Sequence, residues 1–177
     1  MSDILTMIMN DRDPVSKLIA KVPGFSGYMD RSSRRTADKL LRDTIADQYE
    51  SIYKKISLIQ TDLIANGSIE YIDDVERAAI QVRRFADRLR NATYGYSGFF
   101  DGVKVDAEEI GEMYHFDLAF VQIGEHLNSE LDTLSGNIGN TEGLPAFIRN
   151  ITTLSRELNE TFDKRNNLLS KPEAAAS

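Results

Sequence analysis

Apolar residues recur at gaps of three and four along most of the chain, the period of helices that bury one face. Leu41, Ile45, Tyr49, Ile52, Ile56, Ile59 and Leu63 predict a first long helix. It should start near Ser32 or Ser33, either a good N-cap, and run to about Ala65, before Asn66-Gly67. Ile72, Val75, Ala79, Val82, Ala86 and Leu89 mark a second, capped by Ser68 and ending near Thr93. Ile110, Met113, Asp117, Phe120, Gly124, Leu127, Leu131 and Leu134 mark a third from near Asp106. That series is a heptad-type seam with two odd members, Asp117 and Gly124. Phe147, Ile151, Leu154, Leu158, Thr161, Arg165 and Leu168 mark a fourth, from about Leu144 to Leu169. Before all of these lie two short amphipathic pieces, the second opened by Asp13-Pro14 with Asp as N-cap and Pro at the first helical position.

Short connections make antiparallel neighbours. The expected fold is therefore all-α: an antiparallel up-down-up-down four-helix bundle, capped at one end by the short N-terminal helices. Residues 1–31 should form those helices and an aromatic–glycine loop, 32–170 the bundle, and 171–177 a disordered tail. Composition agrees with this and removes several chemistries. Four prolines and 11 glycines are little material for a turn-rich β protein. The absence of cysteine excludes thiolate metal sites, thiol nucleophiles and disulfides, and two histidines make multi-histidine sites hard to build. The N-terminus lacks a basic region and a full apolar run, and no stretch approaches a membrane span, so a cytoplasmic protein is expected.

The expected topology puts two aromatic–glycine loops at one end of the bundle: residues 23–28, with Phe25 and Tyr28, and residues 94–102, with Tyr94, Tyr96, Phe99 and Phe100. Charge gathers there too. Residues 12–42 hold eight bases, among them Arg31, Arg34 and Arg35, and three acids; residues 77–104 hold six bases and two acids. Residues 105–142 hold nine acids and no base, and the whole chain carries −7. Such an end could dock on an anionic membrane surface or an acidic partner, its aromatics inserting and its bases attracting. The alternative is that these charges pair within the fold and the aromatics close the core. Nucleic acid is not the expected partner of so acidic a chain.

Three further features carry candidate chemistry. Glu112 and His115 have the Glu-x-x-His spacing of di-iron bundles, but one copy cannot complete such a site, and His115 falls opposite the seam. No cofactor is expected, and a metal- or small-ligand-binding bundle is only the alternative reading. Asp117 lies in the seam, where a carboxylate needs a partner. Depth along the bundle predicts a buried polar layer of Asp117 with Thr44, Gln81, Thr161 and Arg165, Arg165 being the ionic candidate and helix register its purpose. Finally, the third helix is apolar on more than one side between Met113 and Gly124. Either the N-terminal segment covers the extra face, which is the expectation here, or a second protein chain does, through self-association on this helix.

The strings from Val22 to Tyr28, from Arg34 to Arg42 and from Ala92 to Val105 resemble a family of small uncharacterised bacterial helical proteins over roughly residues 22–134. The resemblance implies a bacterial cytoplasmic setting and carries no activity, cofactor or catalytic residue. The sequence thus leads to a non-enzymatic helical interaction or scaffold protein.

Overall fold

A computed structural model describes residues 13–27, 34–92, 107–140 and 142–169. Its helices are α1 (Pro14–Lys21), α2 (Arg34–Ala65), a 3₁₀ turn (Ile69–Tyr71), α3 (Ile72–Arg90), α4 (Ala107–Asn137) and α5 (Leu144–Leu169), and there is no strand among the described residues. The fold is all-α.

Local chemistry sets several of these boundaries. Asp13 caps α1 by accepting a hydrogen bond from the Ser16 amide at 3.0 Å, with Pro14 directly after it. α2 stops at Asn66-Gly67 because Gly67 adopts a positive φ of 78°. Its amide bonds the Ile64 carbonyl and the Ser68 amide bonds that of Leu63, the paired closure of a Schellman motif. Ser68, the expected cap of the next helix, makes no side-chain cap bond and is buried. The 3₁₀ turn intervenes, and α3 starts at Ile72 with Asp73 and Asp74 in its first turn, where acids suit the helix dipole.

The four long helices meet in four neighbouring pairs: α2 with α3, α3 with α5, α5 with α4, and α4 with α2. Side-chain contacts give the directions. Arg90 pairs with Asp47 and Glu50 while Gln60 bonds Glu76, so α2 and α3 are antiparallel. Arg165 pairs with Asp117 while Phe162 meets Phe120, so α4 and α5 are antiparallel too. Tyr49 with Phe120 and Lys55 with Asp132 make α2 and α4 parallel; Asn159 with Gln81 and Arg88 with Asp163 make α3 and α5 parallel. Two helical hairpins therefore lie side by side, and residues 91–106 join helices that are not neighbours. A connection of that length does not force adjacency, unlike the short ones after α2 and α4.

The core repeats every seven residues. Ile45, Ile52 and Ile59, with Tyr49, Ile56 and Leu63, are buried along α2. One aromatic from each long helix fills a single layer: Phe85 has its ring 4.6 Å from Tyr49, 4.8 Å from Phe120 and 5.8 Å from Phe162. The Tyr49 hydroxyl donates to the Phe120 carbonyl at 2.6 Å. Where α2 meets α4, residue 124 is glycine, and a Cβ there would lie 2.7 Å from Gln48 Nε2, the end of a side chain on α2. Alanine asks only the flexible end of Gln48 to move and gains about 1 kcal/mol of helix propensity. Gly124→Ala should therefore stay near wild-type stability, while Gly124→Leu should cost about 1–3 kcal/mol by overpacking, both read by urea denaturation.

The many-sided apolar stretch of α4 is covered from within the chain. α1 packs along α4, burying Leu18, Val22 and Phe25. Phe25 meets Tyr114 edge-on at 6.2 Å, and Lys21 pairs with Glu125 at 2.6 Å. The short helix thus lies against the flank of α4, where apolar area was left over, rather than across an end of the bundle.

Candidate functional site

The two heptad series of α2 continue toward its N-terminus into charged residues. Counting back seven from Ile45 gives Asp38, and from Tyr49 gives Arg42; both side chains are buried at core positions. Opposite them, the α4 seam presents Asp117 and the α5 series Ile151–Leu158 presents Arg165, 1% and 0% exposed. Two acids and two bases thus share the interior, one layer beyond the four aromatics.

Their pairing is direct. Arg42 Nε donates to Asp38 Oδ2 at 3.0 Å, one turn along α2. Arg165 Nε donates to Asp117 Oδ1 at 2.9 Å, and Nη2 lies 2.9 Å from the same oxygen. Burial opposes the charges of Asp38, Asp117 and Arg165. It pushes the Asp38 carboxyl up to about 6, against the pull of Arg42 and Arg165. It raises Asp117 above its ordinary 3.8, with Asp38 adding to the effect, and brings Arg165 down to about 10.

The sign for Asp38 follows from linkage. Its folded pKa of about 6 exceeds the ordinary 3.8, so the folded chain binds the proton more tightly than the unfolded one. Stability from this group is full below about pH 4 and is lost as the pH rises through about 6. Between pH 7 and 5 wild type should gain on the order of 1 kcal/mol relative to Asp38→Asn. Denaturation of both at each pH reads this. A change in the opposite direction would mean that Arg42 keeps the carboxylate ionised.

No protein-family model, curated protein or solved structure matches this chain.

The expected polar layer is present only in part. Asp117 and Arg165 meet, and Thr161, buried one turn before Arg165, makes no hydrogen bond. Gln81 belongs elsewhere: its main-chain and side-chain oxygens accept from Asn159 at 2.9 and 3.1 Å. Thr44 is half-buried and lies two residues from Arg42, which turns it about 200° away around the helix. The error was one of face, since depth alone does not place a side chain. The α2 members of the layer, Asp38 and Arg42, were missed, although extending the heptad count by one repeat reaches both.

The proposed interaction surface changes more. Phe25 is fully buried against α4 and is a core residue, because the face it covers is apolar. Arg34 and Arg35 fall in the first turn of α2, while Tyr28, Arg31, Tyr94, Tyr96, Phe99 and Phe100 lie outside the described residues. Several bases counted toward that surface are paired within the fold: Lys21 with Glu125, Arg42 with Asp38, Arg77 with Asp74, Arg88 with Asp163, and Arg90 with Asp47 and Glu50. Their acids come from α2 to α5 alike.

Glu112 is exposed, and His115 sets Nδ1 2.9 Å from the Gly111 carbonyl of its own helix. Among the described residues no three His, Asp or Glu side chains gather where they could hold a metal ion, and no helix is long and apolar enough to cross a membrane. An open groove of about 390 Å³ runs between α2 and α3, lined by Glu50, Tyr53, Arg83 and Arg90 among others. Arg83 stacks over Tyr53 there at 5.3 Å.

Proposed function

We propose that the chain is a non-enzymatic helical interaction or scaffold module that meets a protein partner on the outer face of the α2–α3 hairpin. The observation carrying this reading is a set of exposed large aliphatics: Leu58, Ile64, Ile69 and Ile80 are 54–67% exposed. Ile80 lies on the α3 face between Glu76, which bonds Gln60, and Arg83, which stacks on Tyr53. Ile64 is one turn beyond Gln60 on α2, and Ile69 sits in the turn joining the helices. Three of the four therefore follow one seam, and exposed apolar surface of this kind marks docking surfaces.

A photocrosslinking amino acid placed at Ile69 or Ile80, with Arg156 on α5 as control, tests this in the native cell. Discrete adducts from the hairpin positions alone, lost with Ile64→Lys, would support the reading. Adducts at multiples of the chain's own mass would make the partner a second copy. No adducts, or the same adducts from Arg156, would overturn it.

A second reading keeps the basic end as a docking point for an anionic membrane surface. It is favoured by the segregation of charge, with no base from residue 105 to 142, and by exposed Lys39 near the start of α2. Each base near such a surface contributes about 1 kcal/mol at low salt. Co-sedimentation with acidic liposomes, weakened by Arg34→Ala and Phe99→Ala, is its expected signature. Metal analysis of the purified chain addresses a ligand role for Glu112 and His115. All of these readings suit a bacterial cytoplasmic protein.

A further inference from the structure

We propose that the four buried charges are a register lock for the docking of the two helical hairpins. Each hairpin carries one acid and one base. Asp38 and Arg42 pair along α2, and Asp117 and Arg165 pair across α4 and α5. Each pair forms within its own hairpin, and all four side chains are buried where the hairpins meet.

Within a hairpin, register is set by the short turns at residues 66–71 and 138–143. Between hairpins the chain runs through sixteen residues, 91–106, a length that does not by itself fix register. The apolar seams are tolerant: Ile45, Ile52 and Ile59 on α2, and Leu127 and Leu134 on α4, repeat every seven residues. Two buried polar contacts between the hairpins are tolerant as well. Tyr49 donates to the main-chain carbonyl of Phe120, and a slide by one heptad offers another carbonyl; Asn159 keeps a main-chain acceptor in the same way and loses only its bond to the Gln81 side-chain oxygen. The charges are not tolerant. A slide leaves each ion pair intact but sets it among aliphatic side chains, and it weakens the attraction of Arg165 for Asp38 and of Arg42 for Asp117 across the hairpins. A single polar position fixes register in coiled coils by the same physics. The aromatic layer, whose four rings also occur at only one level, and the outer pairs Lys55–Asp132 and Arg88–Asp163 are competing sources of register.

The chain has no cysteine, so spin labels can be attached at Lys55→Cys and Asp132→Cys, positions paired across the hairpins in the native register. Pulsed electron–electron resonance on the labelled full chain should give one narrow distance. In the apolar quartet Asp38→Leu, Arg42→Leu, Asp117→Leu and Arg165→Met a second population should appear. One heptad of sliding moves the labels by roughly 10 Å along the axis. A single unchanged distance in the folded quartet would assign register to the aromatic layer and overturn the proposal. If the quartet does not fold, Asp38→Leu/Arg42→Leu, which keeps the other ion pair, carries the test. Two distances there uphold the lock; one distance, or loss of the fold, overturns it.

Discussion

Phe85→Ala should cost about 3–5 kcal/mol in chemical denaturation. Phe85 is fully buried and is the ring that touches the aromatic of every other long helix, Tyr49, Phe120 and Phe162. Removing it opens a void bounded by three rigid rings, and Arg88 stacked 4.4 Å over Phe162 holds one of them in place. Rings of this kind cannot collapse inward as flexible side chains do, so the cavity cost adds nearly in full to the lost transfer energy. Phe85→Leu should recover about half of the loss. Tyr49→Phe leaves the packing intact and removes only the buried hydrogen bond to the Phe120 carbonyl, for about 1–2 kcal/mol. If Phe85→Ala cost no more than Tyr49→Phe, the layer would be loosely packed and the aromatic contacts of little consequence.

The helices were legible because their apolar positions recur at three and four residues, and the cover of α4 was legible because its apolar surplus exceeded one stripe. Asp117 and Arg165 could be paired from the same count, since both are odd members of otherwise apolar series. Asp38 and Arg42 went unseen for an opposite reason: they extend an apolar series at its end, where charge looks like the helix simply becoming exposed. Phe25 was misplaced because an aromatic between glycines reads as a loop residue. Its burial depends on α1 lying along α4, a long-range contact that no local pattern encodes. The order of helices around the bundle has the same character. Direction follows from connection length, but which hairpin face meets which is decided by packing across residues far apart in the chain. Surface charge was legible as composition and not as free charge, because Arg88 and Arg90 find their acids on α5 and α2.

Asp117→Leu should destabilise the fold by about 3–5 kcal/mol, and Asp117→Leu combined with Arg165→Met should restore it to within about 1 kcal/mol of wild type or better. The single change removes the carboxylate from a guanidinium that is 0% exposed and held at 2.9 Å. Arg165 then keeps a buried positive charge, repelled by Arg42 and, among the described residues, attracted by Asp38, which already pairs with Arg42. Arg165 is fully buried, so the charge is either solvated by local unfolding or carried at high cost. Asp117→Asn retains a hydrogen-bond acceptor for Arg165 and should fall between wild type and the leucine variant. The double variant replaces an ion pair by apolar groups of similar length; the gain from dispersion and the saved desolvation then offset the lost attraction. Equilibrium urea denaturation of the four proteins closes the cycle. Single and double variants of equal cost would show that the pair contributes its stability as a unit, and the desolvation of these charges would then be smaller than their burial implies.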